Sequence, residues 1–295
     1  MEKIIKAMEY TDNGMKKTIR EIEKQYDFLE TFSIGQSVMG REIPALKIGS
    51  GEYCLFTAGF SGTERLTTNI LLFFAEELCR CIKENIPFAG INVNKALSGR
   101  GIIIVPRVNV DGAEIALCGA SAAGSLAKEI RRISGNNTEN WRANLRGVEI
   151  NRNFSSGWYT LRETQRAAGV FAPCMSGYGG PYPESEPETV ALLKLCERFK
   201  FKYSLSFLQG DSVIYWQYGD KLPQKSEKMV SIMASCSGYR FDPVGSNSPG
   251  GSFKDCFINS YERPAFNVHI KNTDIYTCDE EYLVLRKMLL VSTLF

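Results

Sequence analysis

The sequence predicts an α/β domain with helices on both faces of a central sheet. Two observations lead there. Short apolar runs rich in β-branched and aromatic residues alternate along the chain with longer segments of helical period. No internal repeat, low-complexity tract or Pro/Ser linker divides the 295 residues, so one large core is expected. We read residues 1–30 as a helical lead-in and 31–295 as the domain. Within them, residues 15–26 form a helix with Ile19 and Ile22 on one face. Two short strands, 32–34 and 43–48, flank a turn at Met39-Gly40-Arg41. A strand over 53–58 feeds an apolar-rich helix over 64–84, and 102–105 is a buried strand. Residues 121–144 are an excursion with a short helix. Then come helix 188–198, strands 203–208 and 213–217, helix 225–236, strand 266–270 and a closing helix over 279–294. In such sheets function lies in the loops that leave the strand ends.

Composition excludes several function classes. The chain has one histidine, His269, where about six or seven are usual for this length. That removes any zinc site needing two or three histidines from one chain, together with HExxH chemistry. With 35 basic and 33 acidic residues and no long run of one sign, no nucleic-acid or polybasic membrane surface is expected. The most apolar stretch, 70–74, is too short to span a bilayer, and the mixed charges of residues 1–25 lack the apolar core of a secretion signal. Nine scattered cysteines without a CxxC pair read as free thiols of a reducing cytoplasm.

The loops at the strand ends carry the motifs. Strand 53–58 leads into Gly59-Phe60-Ser61-Gly62-Thr63-Glu64, and strand 102–105 into Pro106-Arg107-Val108-Asn109-Val110-Asp111-Gly112. Trp141-Arg142-Ala143-Asn144 and Arg146-Gly147-Val148-Glu149-Ile150-Asn151-Arg152-Asn153-Phe154 follow, then Ser185-Glu186-Pro187-Glu188, Gln209-Gly210, Gly250-Gly251-Ser252-Phe253-Lys254-Asp255 and Arg263-Pro264-Ala265-Phe266. This series, from about Ile34 onward, resembles the zinc carboxypeptidase family. Within it the chain is most similar to the bacterial branch of carboxypeptidase T and the γ-D-glutamyl-diaminopimelate peptidases.

The resemblance implies a single α/β/α sandwich with a mixed, twisted sheet. It also implies an ancestral activity: one zinc on two histidines and a glutamate, a zinc-activated water, a glutamate base, an arginine for the oxyanion, and an Asn-Arg pair for the substrate's terminal carboxylate. Carried over by position, the first ligand motif reads Ser61-Gly62-Thr63-Glu64, so its histidine is a serine and its glutamate remains. The second histidine falls on Phe207 or Leu208. The base position falls at or beside His269. Arg142 matches the oxyanion arginine, and Asn151 and Arg152 match the carboxylate pair. The family's mobile tyrosine belongs near 244–248, where there is none.

The resulting expectation is a carboxypeptidase-like protein without catalytic zinc or other cofactor. It would not hydrolyse by the family route, and it would bind carboxylate-terminated, cell-wall-type peptides. Two alternatives stay open: an active metallocarboxypeptidase with a rearranged site using Glu64 and His269, and a non-catalytic interaction protein of undetermined oligomeric state. Plainer readings stand beside these. Ser61-x-x-Glu64 is a capping box, in which Ser61→Ala costs about 1 kcal/mol. His269 on an apolar strand is a structural histidine, or a base for a Ser61 nucleophile. Arg142 and Arg152 pair with carboxylates such as Glu149. The three tryptophans, Trp141, Trp158 and Trp216, are packing residues.

Overall fold

The computed structural model describes residues 5–242, 250–271 and 274–295. In chain order the elements are α1 (Asp12–Gln25), β1 (Glu30–Gln36), β2 (Glu42–Gly49), β3 (Glu52–Ala58), α2 (Arg65–Glu84), α3 (Val93–Ala96), β4 (Arg100–Val105), α4 (Val110–Cys118), α5 (Ala127–Ser134), α6 (Trp158–Ala167), α7 (Pro187–Phe199), β5 (Ser204–Gln209), β6 (Val213–Tyr215), α8 (Ser226–Ser237), β7 (Arg240–Asp242), α9 (Phe253–Tyr261), β8 (Ala265–Ile270) and α10 (Cys278–Val291). Among the described residues the strands form one mixed sheet in the order β1-β2-β4-β3-β5-β8-β6-β7.

The central strands β4, β3, β5 and β8 run parallel, and β1, β2 and β6 add antiparallel pairings toward the edges. Parallel strands are covered on both faces, so they read as continuous apolar runs rather than alternations. Ile102, Ile103, Ile104 and Val105 of β4 are all buried. Helix α2 is inaccessible along most of its length, and Phe74 stacks on Phe56 of β3 at 5.9 Å between ring centroids. Its end is set by Asn85, whose left-handed φ of 51° turns the chain away. In the lead-in, Thr11 caps α1 by accepting from the Gly14 N–H, and Met15, Ile19 and Ile22 enter the same apolar core as the sheet. The excursion holds a 3₁₀ segment, Ala120–Leu126, followed by α5. Ile130 joins Ile115, Trp141 and Leu145 in a second, smaller core.

Four helices fall where the sequence reading has loops or nothing: α3, α4, α6 and α9. Helices α4 and α9 both start inside the motif loops, capped by Asn109 and Ser252, whose side chains accept from Gly112 N (2.9 Å) and Asp255 N (3.1 Å). They are only nine residues each and are buried on more than one side, so neither shows a strong helical period. Strand β7 is also additional to the sequence reading. Its three residues leave no periodicity to detect.

The parallel core fixes the location of the site. The carboxyl ends of β3, β5 and β8 lie at one edge of the sheet, and the loops that follow converge there. Close approach at this edge depends on Gly62. A Cβ there would lie 2.4 Å from the carbonyl oxygens of both Gly112 and Trp141. Among the described residues no helix is long and apolar enough to cross a membrane. All nine cysteines are free.

Candidate functional site

A cavity of about 280 Å³ opens at the carboxyl ends of β3, β5 and β8. Ser61, Glu64, Arg142, Asn151, Arg152, Leu208 and His269 all line it. The choice left open between Phe207 and Leu208 resolves by strand alternation. Leu208 faces the cavity, paired across the strands with His269, while Phe207 is buried against Phe56, 5.8 Å between ring centroids.

The corner between β3 and α2 differs from the capping box read from the sequence. Glu64 does reach back, its Oε2 accepting from the Ser61 N–H at 3.2 Å. The Ser61 hydroxyl instead meets the Thr63 hydroxyl at 2.9 Å and the Thr63 N–H at 3.4 Å. Glu64 N donates to the Ser61 carbonyl, and Glu64 itself occupies the N-cap position without a side-chain cap. The hydroxyl contact closes one residue earlier than in a capping box, so it reaches an N–H of the loop rather than of the helix. The other carboxylate oxygen, Oε1, accepts from the Gln209 N–H at 3.2 Å, which ties α2 to the end of β5. Burial pushes the Glu64 carboxyl up to about 7, against the pull of Arg142 and these two N–H donors.

The other wall is charged, and both oxygens of its carboxylate, Glu149, are bonded. Glu149 is buried between two arginines, its Oε1 3.2 Å from Arg142 Nη2 and its Oε2 3.2 Å from Arg152 Nε. Gly177 N–H and the Ser176 hydroxyl donate to the same Oε2 at 2.7 and 3.3 Å. Burial pushes the Glu149 carboxyl up, but Arg152, Arg142 and the Gly177 N–H outweigh it and hold it below the usual carboxylate range. The reading of both arginines as carboxylate-paired therefore holds, with Glu149 as the shared partner. Each guanidinium has five N–H donors, so sharing Glu149 leaves donors for a ligand. Asn151 accepts from the Phe253 N–H at 3.0 Å and so sits against the N-terminus of α9.

His269 lies between these walls. Its ring meets Tyr215 edge-on at 4.8 Å, and Nδ1 is 3.8 Å from Asp211 Oδ1. Gly210 makes room for it, since a Cβ there would fall 2.3 Å from Nδ1. Burial pushes the imidazole down to about 4. Asp211 opposes this, while Arg142 and Lys254 add to it. The ring is neutral at neutral pH. No hydrogen bond joins it to Ser61, whose hydroxyl is taken by Thr63.

These residues do not match the zinc set of two histidines and a glutamate. Leu208 has no donor atom, and Ser61 offers only a neutral hydroxyl. Both Glu64 oxygens already accept backbone N–H groups. Such a set lacks the nitrogen or thiolate donors that make zinc sites tight. Among the described residues no group of three His, Cys, Asp or Glu side chains converges on a point. The stretch expected to carry a mobile tyrosine lies outside the described residues.

The sequence reading missed Lys254, Asn267, Asp211 and Tyr215, which also line the cavity. Only the lysine had a signal, as a charged residue inside an otherwise apolar and small motif loop. The tryptophans behave as packing residues. Trp141 and Trp158 donate to the carbonyls of Asn144 and Gly179, and Trp216 is buried.

The zinc carboxypeptidase family profile matches residues 15–239. Gamma-D-glutamyl-L-diamino acid endopeptidase 1 of Lysinibacillus sphaericus is 29% identical over 264 residues, covering 88% of this chain and 65% of that protein. The chain thus spans just under two thirds of that relative's length. The uncharacterized protein YqgT of Bacillus subtilis (strain 168) is 30% identical over 267 residues, covering 88% and 70%. Among solved structures, thrombin activatable fibrinolysis inhibitor superposes with a TM-score of 0.72 at 19% identity, over 98% of this chain and 75% of that one. The murein-tripeptide amidase MpaA from Escherichia coli O157 superposes with a TM-score of 0.57 at 20% identity, over 88% and 91%. These likenesses show the fold.

Proposed function

The chain belongs to the zinc carboxypeptidase family, and on that premise we propose that it is a binding protein for peptides with a free C-terminal carboxylate, without catalytic zinc and without the family's hydrolysis. One observation carries this reading: Arg142, Asn151 and Arg152 line one cavity with Glu149 joining the two arginines, while the corner beside Glu64 offers a hydroxyl and a leucine where a metal would need nitrogen donors. The arginines hold the ligand's carboxylate with charge-assisted hydrogen bonds, and Glu149 presets their orientation. His269, neutral and facing the same cavity, is available as a hydrogen-bond partner.

The relatives support a class of ligand. One is named as a γ-D-glutamyl-L-diamino acid endopeptidase and another as a murein-tripeptide amidase. We extend that to peptidoglycan-type peptides for this chain. Nine free thiols favour a reducing compartment such as the cytoplasm.

The test combines metal analysis of the purified protein with calorimetric titration of short peptides. The expected outcome is no stoichiometric zinc, binding of peptides with a free C-terminus, and loss of that preference on amidation or in Arg152→Ala. Stoichiometric zinc with peptide hydrolysis that is lost on chelation would instead establish an active, rearranged metallopeptidase.

A further inference from the structure

The cavity contains a cation that the anion wall does not use. Lys254 is only 2% exposed, yet it lines the cavity. Its ammonium donates to the Gln217 carbonyl at 2.5 Å and to Asp255 Oδ1 at 2.5 Å. An ammonium has three N–H donors, and these two bonds employ two of them. Lys254 also stands in the first turn of α9, which is capped by Ser252. There the helix dipole disfavours a positive charge and favours a negative one. A lysine held at such a place needs an anionic partner, which Asp255 supplies, and the two bonds leave one ammonium N–H for a ligand.

A second polar group beside it lacks a partner. Asn267, on β8 two residues before His269, lines the same cavity and is 5% exposed, and its Oδ1 has no hydrogen-bond partner. Buried polar atoms are normally paired, so an orphan in a cavity wall marks a place where a ligand supplies the missing partner. An amide can present either its oxygen or its NH₂ to such a ligand by turning about its last torsion. Lys254, Asn267 and His269 all line this one cavity, and the Lys254 charge adds to the depression of the imidazole.

We propose that Lys254, helped by Asn267, is a specificity-determining residue that receives a carboxylate on the side chain of the ligand's C-terminal residue. This rests on the carboxylate-pocket reading above. Arg152 and Arg142 hold the terminal carboxylate, and Lys254 holds a second one. The preferred ligand therefore ends in a residue with an acidic side chain rather than an apolar, amide or basic one. Asp255 balances the lysine, and the ligand's carboxylate takes the remaining ammonium donor at the anion-favouring end of α9.

The test is calorimetric titration of the full chain with four peptides identical except at the end: terminal Glu, terminal Gln, and the C-terminal amide of each. Glu and Gln have the same size, so the comparison isolates the charge. The expected result is that the free-acid Glu peptide binds at least about tenfold more tightly than the Gln peptide, equivalent to about 1.4 kcal/mol. Lys254→Met abolishes that preference, and Lys254→Arg keeps it. Lys254→Arg keeps a buried cation beside Asp255, so it reports even where Lys254→Met fails to fold. Equal affinity for the free-acid Glu and Gln peptides overturns the role of Lys254 and leaves the carboxylate-pocket reading standing. Absence of binding by both free-acid peptides, or binding unchanged by amidation, overturns the pocket reading and this inference together.

Discussion

The two walls of the cavity use their polar atoms differently. At the corner between β3 and α2 the retained carboxylate of Glu64 is satisfied by backbone N–H groups from Ser61 and Gln209. Leucine occupies the place across from it. At the other wall Glu149 is held by two guanidiniums, a hydroxyl and an N–H group. The corner is a structural joint between helix and strand, whereas the wall carries spare donors. The difference teaches that two walls of one cavity can hold similar polar groups with very different availability. Each wall has to be judged by which of its polar atoms remain available.

The largest test rebuilds the corner. In Ser61→His/Leu208→His two imidazoles join Glu64 at positions that already face one cavity. The expected outcome is stoichiometric zinc with micromolar affinity or tighter, worth about 8 kcal/mol of binding, read by metal analysis and calorimetry against the unaltered chain. If the double variant gains no zinc, then the corner differs from the family's metal site in shape as well as in donors.

Removing the centre of the other wall has the next largest effect. Glu149→Ala leaves Arg142 and Arg152 facing each other without their shared carboxylate. The expected destabilisation is about 3 kcal/mol, toward the low end for breaking a buried pair because both arginines are partly exposed. Urea unfolding measures it. A loss under about 1 kcal/mol would mean that the network behaves as a surface pair and does not preset the arginines.

The smallest effect concerns pH, where the two sides act in opposite directions. Glu64 titrates near 7 in the folded protein against an ordinary 4.5, so the folded state keeps a proton that the unfolded chain gives up. Its contribution is complete below about pH 4.5 and is lost as pH rises through 7. His269 titrates near 4 against an ordinary 6.5. Its contribution is present above about pH 6.5 and is lost as pH falls through 4. Glu64→Gln should flatten the decline in stability between pH 4.5 and 7, and His269→Gln the decline on the acid side, each by roughly 1–3 kcal/mol. Melting temperatures across pH 4–8 check this. Parallel curves for a variant and the parent would show that the group in question is not buried as described.

Much of the architecture was legible because long elements bury one kind of face. The helices at residues 65–84 and 278–291 and the parallel strands carry patterns that survive any detail of packing. Residue types at the motif positions were also legible, including the absence of histidine at both expected ligand places. Helices α4 and α9 were not, since nine buried residues beginning in glycine-containing loops have too little amphipathic contrast to declare themselves. At the site, sequence position alone left Phe207 and Leu208 equivalent. It also made a capping box of Ser61 and Glu64, and it passed over Lys254 and Asn267.

The sequence by itself determined the fold class and the residue types at each motif position, because these depend on residue identity and on spacing along the chain. Only the tertiary structure decided which side chain faces the cavity, which carboxylate joins the two arginines, and that a buried lysine shares the cavity with Asn267, whose Oδ1 lacks a partner. Those facts depend on strand register and on contacts between residues as far apart as Glu64 and Gln209. Local spacing carries no information about which distant donor a buried acceptor will meet.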